Sequence, residues 1–158
     1  MARIGLVLRE GLLFGAIGGL FALLVRLVAV YATHDLTPRT FENFVGSALG
    51  FLIIGGAGRK LAASTKSAAP AVQMGAIAGG LSEFFHTIVA ALILSYLPMG
   101  QAAFDRLSPA AKREATDTGA QLLNLGLDLA VVMVFGAMIG WLGAWTLLTF
   151  RPPREPQG

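Results

Sequence analysis

The sequence predicts an all-α protein, a polytopic membrane protein folded as a four-transmembrane-helix bundle. Long apolar runs recur along the chain, and hydrophobic residues make up 55% of it. Charged residues account for 13%, about half the fraction typical of a soluble domain, which is roughly 25%. No stretch outside the apolar runs is long enough for a soluble domain, so residues 1–150 are interpreted as a single membrane-embedded helical domain.

The first predicted span covers residues 11–32. A cleaved signal peptide is the competing interpretation, because Arg3 and Arg9 precede the run and Val30 lies at a possible small-residue cleavage site. The apolar run is about 20 residues long, whereas a signal core has roughly 7–15. The length therefore favours a retained span, which Arg26 interrupts towards its far end.

The second predicted span covers residues 38–58. Thr37 is a suitable N-cap, and Pro38 suits the first helical position. The strictly apolar part, residues 44–57, is short for a hydrocarbon core of roughly 30 Å. A re-entrant segment is therefore the alternative to a complete crossing.

The third and fourth predicted spans cover residues 71–97 and 120–150. A polar linker joins them, and Ser108 within it has the signature of a helix start for a segment at the membrane interface. The tail, residues 151–158, is rich in proline and charge and is expected to be disordered.

Lys and Arg are distributed unevenly between the two sides that four spans define. The side of both termini holds Arg3, Arg9, Arg59, Lys60, Lys66, Arg151 and Arg154. The other side holds Arg39, Arg106, Lys112 and Arg113. Positive residues concentrate in the cytoplasm, so both termini are predicted there. The short linkers and this bias fit the bacterial inner membrane, with the lipid bilayer as the surroundings.

Each predicted span contains two glycines four residues apart. The pairs are Gly15 and Gly19, Gly46 and Gly50, Gly75 and Gly79, and Gly136 and Gly140. Such pairs let two helix backbones approach closely, so their recurrence predicts GxxxG-type packing. Packing within one bundle and packing between subunits are both compatible with the pattern. A homo-oligomer, or an assembly with other membrane subunits, is the expected partner arrangement.

Polar residues inside the spans indicate where a functional site lies. Glu83 and His86, near the middle of the third span, are three residues apart and share a helix face. Placing residues by helical rise puts Arg26 and Asp128 towards the outer side of their spans. The predicted intramembrane polar cluster consists of Glu83, His86, Asp128, Arg26, Asn124 and Ser82. Ionisable groups at this depth are costly and by default indicate function.

Each part of the cluster has a structural and a functional interpretation. Glu83 and His86 either form a proton or cation site or make a hydrogen bond that locks two helices. Arg26 either pairs with Asp128 to fix helix register or reaches outwards to lipid phosphates.

The sequence lacks the residues that several kinds of site require. The Glu-x-x-His spacing occurs in di-metal helix bundles, but these need two such motifs, and this chain has one. No metal site is predicted in a monomer, while one shared between subunits stays open. Ser82 lies in no nucleophile motif, and the glycines lie in no phosphate-binding loop. No enzyme activity, cofactor or nucleic-acid partner is therefore predicted, and the absence of cysteine removes disulfides.

Two function hypotheses follow from these residues. The first is a self-associating or accessory subunit that acts as a scaffold in a membrane assembly. The alternative is a small proton- or cation-linked transporter or channel that uses Glu83, His86 and Asp128. A water-accessible cavity that reaches Glu83 would favour the transporter. A dry hydrogen bond between Glu83 and His86 would favour the structural role.

Overall fold

The structure, a computed structural model, describes residues 2–36 and 40–150, with only the helical backbone at residues 2, 3, 40–44, 46 and 47. Every element in these ranges is helical, as the predicted all-α class requires. The elements are α1 (Ala2–Thr33), α2 (Thr40–Thr65), α3 (Ala69–Phe84), a π-helical turn (Phe85–Val89), α4 (Ala90–Tyr96), α5 (Pro98–Asp105), α6 (Pro109–Thr116) and α7 (Thr118–Phe150).

Three helical stretches are long and apolar enough to cross a membrane. They are Ile4–Thr33, Ala69–Tyr96 and Thr118–Phe150. The middle stretch runs from α3 through the π-helical turn to α4 without interruption. Helix α2 has 26 residues but is not among these candidates in the part of the chain that the structure describes. Arg59 and Lys60 lie inside α2 and make it less apolar.

The helices extend beyond several of the predicted spans. Helix α1 begins at Ala2, ahead of residue 11, and includes Glu10, which has cationic partners in Arg9 and Lys60. Helix α2 continues past Gly58 to Thr65. The predicted helix start at Thr37 and Pro38, Arg39 and the predicted disordered tail, residues 151–158, lie outside the described residues.

Helix α3 lies at the centre of the bundle and contacts α1, α2 and α7. Gly11 of α1 faces Ile77 of α3, and Gly19 further along α1 faces Phe85. Helices α1 and α3 are therefore parallel.

Helix α7 runs antiparallel to α3 and parallel to α2. Gly136 of α7 faces Gly75, and the Val132 carbonyl, one turn earlier in α7, faces Gly79. On the α2 side, Gly58 faces Gly140, and Ala62 packs with Ala144 one turn further along both helices. The long helices therefore alternate in direction along the chain. The start of α1, the α2–α3 connection and the end of α7 lie at one end of the bundle, here called the terminal end.

The terminal half of the bundle holds most of the buried core. Its main cluster joins α1, α2, α3 and α7 and consists of Val7, Ile54, Ala57, Leu61, Met74, Ala78 and Ile139. A second cluster contains Ala62, Ala71 and Ala144. The second cluster consists of alanines, which let the helix backbones approach closely, whereas the main cluster is filled mostly by larger aliphatic side chains.

Glycines allow the closest helix contacts in this half. A Cβ atom at Gly75, Gly136 or Gly140 would overlap a carbonyl group of a facing helix. A Cβ at Gly15 would lie 2.9 Å from the Ala78 Cα. Gly50, in contrast, has nothing within 4 Å of its added Cβ, and the surroundings of Gly46 lie outside the described part. The sequence pattern did not single out Gly55, Gly58 and Gly143, which form the contact between α2 and α7.

Helices α5 and α6 lie at the opposite end of the bundle. Leu97 is extended and Pro98 starts α5, which packs so closely on α4 that a Cβ at Gly100 would overlap the Leu94 carbonyl. Helix α6 starts where the sequence predicted, because the Ser108 hydroxyl accepts a hydrogen bond from the Ala111 amide at 3.2 Å. These short helices close one wall of the site described next.

Candidate functional site

A cavity of about 1140 Å³ lies between α1, the Glu83–Ser95 stretch, α5, α6 and α7. Four of the predicted site residues line it, namely Arg26, Glu83, His86 and Asp128. Further polar lining residues, which the sequence pattern did not single out, are Thr87, Ser95, Gln101 and Asp105. The structure therefore brings the ionisable residues of three long helices to one space.

A π-helical turn, Phe85–Val89, presents part of this lining. The Ala90 amide donates to the Phe85 carbonyl five residues earlier, which defines the wider turn. The side chain of Phe85 packs against Gly19 of α1, where an added Cβ would lie 2.9 Å from the Phe85 ring. His86 and Thr87, in the same turn, line the cavity. Single π-helical turns inside α-helices are rare and occur frequently at functional sites.

The Glu83 carboxylate accepts a hydrogen bond from a threonine and lies within ion-pair distance of the histidine. The Thr87 hydroxyl donates a hydrogen bond to Glu83 Oε1. His86 Nδ1 lies 3.9 Å from the same oxygen, which exceeds the length of a hydrogen bond. The Glu83 side chain is 15% exposed and that of His86 is 33% exposed. A hydrogen-bonded Glu83–His86 lock is therefore not the observed geometry, and both groups reach the cavity.

Arg26 is anchored near the end of its own helix. Its guanidinium donates to the Leu36 carbonyl, and both residues line the cavity. Asp128 lies on α7 and is exposed. Arg26 and Asp128, on α1 and α7, line the same cavity.

Two members of the predicted cluster lie outside the cavity lining. Ser82 is half-buried and faces α1, where a Cβ added at Gly18 would lie 3.6 Å from its hydroxyl oxygen. Asn124 is exposed on α7, one turn before Asp128. Ser82 thus serves helix packing, because a small side chain permits the close approach of α1.

The acidic lining residues come from different elements. Glu83 is on α3, Asp105 ends α5 and Asp128 is on α7. In the ranges that the structure covers, no three His, Cys, Asp or Glu residues are grouped so that they could hold a metal ion. The lining therefore offers separated negative charges and not a compact coordination site.

A second charged site lies at the terminal end. Glu10 has a side chain only 6% exposed, and its carboxylate contacts Arg9 Nη2 at 2.8 Å and Lys60 Nζ at 3.3 Å. The Lys60 ammonium also lies 5.8 Å from the centre of the Phe14 ring. The predicted span began after Glu10, so this residue was not among the predicted site residues. The partner Lys60 is on another helix, and no spacing in the sequence reveals the contact.

Comparisons with protein-family models, with curated proteins and with solved structures find no match to this chain. The function is therefore inferred from the residues and the geometry of the cavity alone.

Proposed function

We propose that this is an integral membrane protein that binds a proton or a cation in the cavity and carries it across the bilayer. The observation that carries the proposal is the cavity of about 1140 Å³ that reaches Glu83 in the middle of an apolar helix. An ionisable side chain at such a depth is costly and is by default a functional residue. Glu83 is the central carboxylate, and Arg26 is the counter-charge.

The charges of the lining favour a positively charged ligand. Three carboxyl side chains, Glu83, Asp105 and Asp128, line the cavity together with one guanidinium, that of Arg26. Excess negative charge between walls of low dielectric constant attracts cations strongly. His86 adds an imidazole whose Nδ1 lies 3.9 Å from Glu83 Oε1, so the coupling of a proton to the cation would involve these two residues.

The proposal includes four membrane crossings with both termini in the cytoplasm of a bacterial cell. Helix α2 would be the fourth crossing, and its contact with α7 through Gly58 and Gly140 supports this. The terminal end carries the cationic residues Arg9, Arg59, Lys60 and Lys66, as a cytoplasmic surface would. Tyr31 and Tyr96, which are 71% and 83% exposed, would mark the outer interface.

A self-associating subunit is the second candidate, and the outward face of α7 favours it. Gly126 and Ala130 are exposed and four residues apart, and a Cβ added at Gly126 would meet nothing within 4 Å. Two small residues at this spacing are typical of contacts between membrane helices. If copies associate here, Gly126→Leu lowers the oligomer fraction in native mass spectrometry and leaves the melting temperature unchanged. A wild-type protein that is monomeric in lipid nanodiscs would exclude this role.

The titration of Glu83 tests the proposed function. Carboxyl infrared difference spectra of the protein in lipid, recorded as the pH is stepped, should contain a band that reports protonation of Glu83. Glu83→Gln should remove this band. Glu114→Gln, which changes an exposed carboxylate of α6 that is not in the cavity lining, should leave it intact. A spectrum without any Glu83-dependent titration would reject proton or ion access to the cavity.

A further inference from the structure

We propose that the ligand of the cavity is an organic monocation with an apolar body, of the quaternary ammonium or phosphonium type. This inference rests on the proposed function and specifies its ligand class. It is carried by the volume of the cavity, the chemistry of its walls and the separation of its carboxylates.

The volume is that of a site for an organic molecule. The cavity measures about 1140 Å³, whereas one water molecule occupies about 30 Å³ in the liquid. Pockets for drug-sized ligands have about 300–1,000 Å³. A proton or a bare metal ion would leave nearly all of this space to water, while an organic cation would fill a large part of it.

Much of the lining is apolar. Leu94 and Ala91 contribute from α4, and Val131 and Val132 contribute from α7. These side chains have no atoms that solvate a metal ion, but they gain free energy when apolar ligand surface replaces water. The Phe104 ring of α5 adds further apolar surface. The Lys112 ammonium already lies 5.7 Å from the centre of this ring, so the other apolar residues are the main contact for the ligand.

The separated carboxylates suit a ligand whose positive charge is spread over many atoms. Calcium, for example, requires six to eight oxygen ligands at about 2.3–2.6 Å. Glu83 and Asp128 lie on different helices, and the described chain contains no grouping of metal-binding side chains around them. An organic cation, whose charge is spread and weakly hydrated, needs only nearby negative charge. Glu83, fixed by Thr87, supplies it at the inner part of the lining.

Binding of tetraphenylphosphonium to the full-length protein in nanodiscs tests the inference. Equilibrium dialysis should give saturable binding to the wild type that weakens about tenfold or more in Glu83→Gln, since a tenfold change corresponds to about 1.4 kcal/mol. Glu114→Gln is the matched control and should bind like the wild type. Ala91→Trp, at a residue of the cavity lining, should weaken binding because the indole takes up part of the space for the ligand, while the Glu83 infrared titration persists.

The possible outcomes separate the ligand class from the proposed function. Weaker binding in both Glu83→Gln and Ala91→Trp, with retention in Glu114→Gln, supports the organic monocation. Equal binding in all variants indicates partition into lipid and overturns it. Glu83-dependent binding of sodium or magnesium ions without phosphonium binding overturns the ligand class and keeps the proposed function. If Glu83 neither titrates nor binds any of these cations, both proposals fail.

Discussion

At the scale of single residues, Thr87 determines how Glu83 faces the cavity. Its hydroxyl donates to the carboxylate from one turn further along the same helix. This contact leaves the imidazole of His86 at 3.9 Å, without a hydrogen bond to Glu83. The carboxylate therefore keeps a defined position while its other oxygen remains available to a ligand. A threonine four residues after a glutamate is an ordinary pattern, which explains why the sequence did not single it out.

Replacement of Thr87 tests this positioning role. Thr87→Val has nearly the same shape but lacks the donor, so we expect a shift of the Glu83 carboxyl infrared band and a loss of stability of about 1–3 kcal/mol. Thr87→Ser keeps the hydroxyl and should preserve both properties. Band positions and thermal unfolding in detergent give the comparison. Identical spectra for the valine and serine variants would mean that this hydrogen bond does not form.

Glu10 provides a second prediction, at the terminal end. Its buried carboxylate contacts Lys60, whose side chain is 67% exposed. Lys60→Gln removes one counter-charge, and because that partner is largely in solvent, we expect a loss of about 1 kcal/mol or less. The adjacent Arg59→Gln is the control, since Arg59 is also exposed on α2. Unfolding at low and high salt should show the difference shrinking as salt screens the pair. An equal loss for both variants would argue against a specific role for Lys60.

The sequence predicts how far along its helix, and so how deep in the membrane, each site residue lies. The positions of Arg26, Glu83, His86 and Asp128 along their helices follow from a rise of about 1.5 Å per residue. Whether they face one another depends on the rotation of each helix, which the sequence pattern leaves open. The π-helical turn changes that rotation inside the third long helix, and no spacing rule reveals it. Asp105 was also missed, because it lies after Pro98 in the polar linker, outside the predicted spans.

At the scale of elements, glycine decides which helices meet. The predicted pair Gly75 and Gly79 faces α7, and Gly136 and Gly140 lie on the opposing surface. Gly58 was not among the predicted glycines, although its added Cβ would lie 2.5 Å from the Gly140 carbonyl oxygen. A helix with glycines on several faces does not show which of them meets a backbone. That information comes only from the assembled bundle.

Two glycines of α2 allow a matched test of this packing. A Cβ at Gly56 would meet nothing within 4 Å, whereas Gly58, two residues later, contacts Gly140. Gly58→Leu should push α2 from α7 and destabilise the bundle by about 1–3 kcal/mol or more. Gly56→Leu should have little effect. Thermal unfolding in detergent measures both, and similar melting temperatures would contradict the close contact of α2 with α7.

At the scale of the whole molecule, the two halves of the bundle differ in a way that suits one-sided access. The terminal half is closed by glycine and alanine contacts between backbones. The other half contains the cavity and is bordered by the short helices α5 and α6, of which α5 packs on the bundle through Val30, Leu94 and Ala103. A ligand would therefore enter from the α5–α6 end. Release at the terminal end would require the glycine-packed helices to separate.

Whether the cavity opens to the proposed side of the membrane depends on how many times the chain crosses the bilayer. The chain contains no cysteine, so single-cysteine variants can be labelled with a membrane-impermeant maleimide. If α2 crosses the bilayer, Ala2→Cys and Ser67→Cys react from the same side and Ala110→Cys from the opposite side. If α2 does not cross, the α2–α3 connection is on the side opposite the N-terminus, and Ala2→Cys and Ser67→Cys react from different sides. Labelling of inside-out and right-side-out bacterial vesicles distinguishes these patterns. If Ala2→Cys and Ser67→Cys are both labelled from the cytoplasmic side, the terminal end faces the cytoplasm. The cavity, in the other half of the bundle, then lies towards the cell exterior. This orientation also keeps the positive residues of the terminal end inside the cell.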